Sequence, residues 1–95
     1  MKHYIIVKFK SGFDYMSFLE DIKDIFAQTL EIEGVSGVDV KKSNSERENR
    51  YDLMIEMTME KSALPLYDIS EPHILWKKKY GEFIEKKAIF DCDSF

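Results

Sequence analysis

A phenol and an imidazole stand six residues apart in Tyr67-Asp68-Ile69-Ser70-Glu71-Pro72-His73, and this pair is suited to proton chemistry on a carbonyl compound. Imidazole has a reference pKa of about 6.5, so His73 can take a proton from a carbon next to a carbonyl without heavy tuning. A phenol is a poor base but a good donor, and Tyr67 would polarise the carbonyl oxygen or hold a developing enolate in a water-poor pocket. The spacing is awkward at first sight. On an unbroken helix six residues turn through about 600°, which sends the two side chains in different directions. Ser70, however, is a good N-cap and Pro72 is tolerated only in a first turn, so a new helix begins here and its start can bring His73 back toward Tyr67. The structural alternative is a core tyrosine with its hydroxyl at the surface, and a histidine that serves only the backbone of the first turn.

The elements that must position this pair follow from periodicity. Residues 3 to 10 alternate, with His3, Ile5, Val7 and Phe9 on one face and Tyr4, Ile6 and Lys8 on the other, which predicts a central strand. After the Ser11-Gly12 turn, Phe18, Leu19, Ile22, Ile25, Phe26, Thr29 and Leu30 recur at helical steps. They predict a helix over 15–32, with Asp14 or Ser17 as cap, Glu20 completing a capping box with Ser17, and Gly34 ending it. A second strand is expected over 34–43 around Val38 and Val40, followed by a polar loop over 43–49. Tyr51, Leu53, Ile55, Met57 and Met59 then give the clearest period-two signal. A short helix over 61–68 carries Ala63, Leu64 and Tyr67, with Ser62 as cap and Pro65 tolerated near its start. The longer helix that follows has Ile74, Leu75, Trp76, Tyr80, Phe83 and Ile84 as apolar positions, and Ala88 to Cys92 forms a last strand. Trp76 reads as core, and Met54, Met57 and Met59 as sheet packing.

The order β-α-β-β-α-β, with the second helical region split, is the ferredoxin-like plan of the α+β class: one domain over 1–95, a four-stranded antiparallel sheet and helices on one face. The other face also carries apolar residues on its central strands, so a homodimer through the sheet face, closing a barrel-like interface, is the expected assembly. Ile5, Val7, Leu53 and Ile55 occupy presumed helix-facing strand positions, where they would form an apolar pocket floor for a small hydrophobic or carbonyl ligand.

Composition narrows the classes. A net charge of −4 argues against nucleic acid. The single basic run, Lys77-Lys78-Lys79, is a solvated helix face or an anion site. With one cysteine, Cys92, no intrachain disulfide can form. No apolar run approaches the ~20 residues of a membrane span and no leader pattern opens the chain, which leads to the expectation of a soluble, cytoplasmic protein. Two histidines and one cysteine without ligand spacing give no metal site, and no cofactor is expected.

Lys2-His3-Tyr-Ile-Ile-Val-Lys8-Phe9-Lys10, the Tyr51-Asp52-Leu53 strand entry and Tyr67-x-x-x-x-Pro72-His73 together resemble the stress-responsive dimeric α/β-barrel (Dabb) family over nearly the whole chain. Most members of that family have no established activity, while its plant polyketide cyclases close rings by aldol condensation. The resemblance implies catalytic roles for His73 and Tyr67 and places His3 at a strand-one histidine of the cyclases, where it would orient a ligand from the sheet side. Two positions depart from the pattern: Ser70 stands where the family's motif usually has another histidine, and Leu53 where the cyclases carry one on the third strand. Three functions follow: a dimeric module with a small apolar-ligand pocket, a cyclase or aldol-type enzyme, and a haem or quinone monooxygenase of related barrel shape. The third lacks the strand-one asparagine of haem-degrading relatives, since Asn44 and Asn49 both fall in the loop.

Overall fold

Bulky residues at alternate positions build the two central strands, β1 (Lys2–Phe9) and β3 (Leu53–Met59), which pair antiparallel in the register His3 to Met57, Ile5 to Ile55 and Val7 to Leu53. The computed structural model describes residues 1–93. β2 (Val35–Lys42) flanks β3 and β4 (Ile84–Cys92) flanks β1, giving the order β2-β3-β1-β4 with every pairing antiparallel. This is the ferredoxin-like arrangement.

One face of the sheet is covered by α1 (Leu19–Ala27), α2 (Ala63–Asp68) and α3 (Glu71–Tyr80). Ile5, Val7, Phe9, Leu53, Ile55, Met57 and Met59 are buried there together with Ile22, Ile25, Phe26, Trp76 and Tyr80. Each buried side chain of this size contributes about 2 kcal/mol relative to exposure. Phe26 meets Trp76 edge-on at 5.1 Å between ring centroids, locking α1 to α3 across the core. The same two helices are tied at the surface, where Tyr80 donates a hydrogen bond to Asp21 and Lys79 Nζ lies 2.7 Å from the same carboxylate. The bonds from Lys79 and then Tyr80 hold the Asp21 carboxyl below its usual range.

The helix expected over 15–32 is a helical run whose ends tighten into 3-10 turns, Tyr15–Phe18 and Gln28–Glu31, around the α-helical centre. The capping box does not form, because the Ser17 hydroxyl donates to the Asp14 carboxylate at 2.5 Å instead of accepting from the helix backbone. Gly34 follows at φ +90°, a conformation that favours glycine. A Cβ there would also lie 3.0 Å from that of Ala63. Ser62 does not cap α2, since the turn is already closed by backbone bonds from Ala63 to Glu60 and from Leu64 to Lys61. Pro65 is then the third helical residue, where a missing N–H costs nothing.

The last strand starts four residues before the expected Ala88, at Ile84, and takes a residue expected on α3. β1 sets this boundary: its whole length finds partners on β4, with a register shift between Lys8 and Phe9 that pairs Phe9 with Ile84, while Lys10 N–H bonds to the Phe83 carbonyl at 2.7 Å.

The sheet face away from the helices carries Tyr4 and Ile6 on β1, Met54 on β3, and Ala88 and Phe90 on β4. Tyr4 and Phe90 are cross-strand neighbours with centroids 6.3 Å apart, and Phe90 is 59% exposed. No described helix is long and apolar enough to cross a membrane. Among the described residues no group of three or more His, Cys, Asp or Glu is placed to hold a metal ion.

Candidate functional site

The break between α2 and α3 brings the phenol and the imidazole together. Ser70 leaves the helical region at ψ 153°, and its hydroxyl works in both directions: it donates to the Tyr67 carbonyl at 2.7 Å and accepts from His73 N–H at 3.4 Å. His73 Nδ1 lies 2.8 Å from the Asp68 carbonyl oxygen. A carbonyl can only accept, so Nδ1 carries the proton and Nε2 is the basic nitrogen of the neutral ring. These bonds fold the start of α3 back over the end of α2, and the Tyr67 and His73 rings stand 4.6 Å apart between centroids.

His3 approaches from the sheet. Strand pairing sets it opposite Asp91, whose carboxylate accepts from His3 Nδ1; the same logic leaves Nε2 as the basic nitrogen of the neutral ring. The His3 ring packs edge-on against Tyr67 at 5.6 Å, so Tyr67 has an imidazole on two sides. All three line a cleft of about 320 Å³, near the lower end of the ~300–1,000 Å³ range of ligand sites.

The Tyr67 hydroxyl is the unusual atom of this site. The residue is 2% exposed, and the hydroxyl has no hydrogen-bond partner among the described residues. Burial, and to a smaller degree the Asp68 carboxylate, push its pKa well above the ordinary phenol range, so it is a donor at every physiological pH. A buried donor without a partner costs about 1–3 kcal/mol, which a ligand oxygen or an ordered water in the cleft would recover.

Of the residues anticipated from sequence, His3, Ile5, Tyr67 and His73 line this cleft. Val7, Leu53 and Ile55 do not: they are fully buried deeper in the core, so the expected pocket floor reduces to Ile5, with Ile89 of β4 beside it. The cleft also takes Lys77, from the basic run read as a solvated face or an anion site, and Asp91, Asp68, Trp76 and Lys87, which were not anticipated as site residues. Asp91 and Lys87 share the helix-facing side of β4 with Ile89, a period-two pattern present in the sequence but meaningful only once β4 is known to pair with β1. A wider, shallower hollow of about 540 Å³ beside the Gly12 turn brings in no imidazole.

No protein-family model matches the chain, and no curated protein matches it. Solved structures do. A Dabb family protein with a ferredoxin-like fold from Mesorhizobium loti superposes with a TM-score of 0.74 at 19% identity, covering 99% of this chain and 95% of that one. A dimeric ferredoxin-like protein of unknown function from Jannaschia gives a TM-score of 0.79 at 15% identity over 98% and 97% of the two chains. A hydroxynitrile lyase from Passiflora edulis gives 0.74 at 14% identity over 99% and 94%. The chain therefore has the ferredoxin-like fold found in a Dabb protein, and at these identities the likeness concerns the fold.

Proposed function

We propose that this is a Dabb-type homodimeric protein, packed through its outer sheet face, whose cleft binds a small carbonyl compound and moves a proton next to the carbonyl. The observation that carries this reading is the buried Tyr67, whose ring packs against both imidazoles and whose hydroxyl has no hydrogen-bond partner among the described residues. A ligand carbonyl oxygen would accept from Tyr67, and His73 Nε2 would take the proton from the adjacent carbon. The phenol then stabilises the charge that develops on oxygen, in a cleft walled by Ile5, Trp76 and Ile89. The same His73 Nε2 returns that proton, or the solvent deuteron that has replaced it, to the carbon, while His3, oriented by Asp91, is a second imidazole packed against the Tyr67 ring. The hydroxynitrile lyase of the same fold supports lyase-type chemistry on this scaffold, and the dimeric neighbours support the assembly.

The test is deuterium uptake at the carbon next to the carbonyl of simple ketones in D₂O, followed by NMR together with the imidazole C–H resonances of His3 and His73. The protein should accelerate exchange over buffer, and His73→Ala should remove about 10²–10⁴-fold of that acceleration. Ketones that shift the imidazole signals without exchanging would leave a binding pocket and end the catalytic reading. Ketones that do neither would end the ligand reading as well.

A further inference from the structure

The Tyr67 cleft adjoins a second hollow, of about 380 Å³, and the two share Trp76, Lys77 and Lys87 as lining. Lys77 comes from α3 and Lys87 from the helix-facing side of β4, so two separate elements bring ammonium groups to the junction. Lys86 joins them in the second hollow. Among the described residues none of the ion pairs uses Lys77, Lys86 or Lys87, whereas Lys79 of the same run is paired with Asp21.

The acidic groups are distributed differently. Asp68 and Asp91 line the imidazole cleft but not the second hollow, and Asp91 is occupied by His3. In the second hollow only Glu85 stands against the three lysines. The two hollows together thus carry hydrogen-bonding groups on the Tyr67 side and unpaired lysines at the junction they share with Trp76, on a chain whose net charge is −4. Unpaired lysines from two elements, facing a common hollow within an acidic protein, are suited to an anion.

We propose that the ligand of this site is a small keto acid, its carbonyl oxygen on Tyr67 and its carboxylate between Lys77 and Lys87. The proposal rests on the ligand-binding reading above and adds the class of compound. Apolar contact with Trp76 would carry the carbon chain between the two polar ends. Phosphate or a longer acid would compete for the lysine end alone and would leave Tyr67 unpartnered.

The experiment compares levulinate with its neutral methyl ester, titrated at low ionic strength against the imidazole resonances of His3 and His73. Wild-type protein should bind the acid about tenfold or more tightly than the ester, the scale of one well-placed ion pair. Lys77→Gln combined with Lys87→Gln changes two exposed side chains and should bring that preference close to one while ester affinity is kept. Tyr67→Phe should weaken both probes alike and keep the preference. Equal binding of acid and ester by the wild type, or a preference that survives the double lysine substitution, would overturn the keto-acid assignment and leave carbonyl binding standing. If neither probe moves either imidazole, the ligand reading falls and this proposal with it.

Discussion

Tyr67 brings opposed forces together in one side chain: its ring is core, and its hydroxyl is a buried donor with no acceptor among the described residues. Tyr67→Phe should therefore leave the fold intact and raise unfolding stability by about 1 kcal/mol in urea melts, since it removes an unpaid desolvation cost and breaks no hydrogen bond. A loss of comparable size would show that the hydroxyl has a structural partner and would weaken its assignment to a ligand. The alkaline limb supplies an independent reading. A phenol whose folded pKa is raised favours the folded state fully below its unfolded pKa of about 10, and that contribution is lost as pH climbs from there toward the folded value. Tyr80 is raised as well, by burial first and then by its bond to Asp21. Stability should therefore fall above about pH 10, and Tyr67→Phe should make that fall shallower without abolishing it.

At the scale of elements, the break at Ser70 is what turns a six-residue separation into a ring contact. Ser70→Ala loses an N-cap and the bond to the Tyr67 carbonyl, which should cost about 1 kcal/mol. It should also loosen the angle between α2 and α3, so ligand affinity should fall by more than the stability loss suggests; Ser70→Thr, which keeps a hydroxyl, should restore most of it. An Ser70→Ala protein with unchanged ligand affinity would show that the packing of the Tyr67 and His73 rings holds the site without the cap. The break was legible in the sequence because Ser70 and Pro72 are both specific to helix starts. The boundary of β4 was not, since Phe83 and Ile84 satisfy a helical stripe as well as a strand, and only the length of β1 decides between them. The same limit hid the β4 side of the cleft. His3 and Asp91 lie at opposite ends of the chain, and nothing in either neighbourhood announces that strand register makes them partners. It also misplaced Val7, Leu53 and Ile55: alternation identifies the helix-facing side of a strand, but not which of its positions the helices cover completely.

For the whole molecule, the helices occupy one side of the sheet, and the outer side leaves Tyr4, Ile6, Met54, Ala88 and Phe90 as a contiguous apolar strip. Lys2, Lys41 and Glu56 border it, with Glu56 3.5 Å from Lys2 and 3.8 Å from Lys41, an arrangement of apolar centre and charged edge that resembles an interface. If two copies meet there, as proposed, Phe90→Glu places an unpaired carboxylate in the contact twice over, at roughly 3–5 kcal/mol each if fully buried. In the isolated chain the same side chain is exposed, so the substitution should barely change folding. Sedimentation should accordingly find the wild type at twice the chain mass of 11.2 kDa and Phe90→Glu at that mass itself. Ile89 and Asp91, the strand neighbours of Phe90, point to the opposite face and line the cleft, so the monomeric variant should still shift its His3 and His73 resonances on binding a ketone. A wild type that sediments as a monomer would remove the dimer. A Phe90→Glu protein that stays dimeric would move the interface to another surface, of which the exposed Leu66, Ile69 and Ile74 around the α2–α3 junction would be the next to probe.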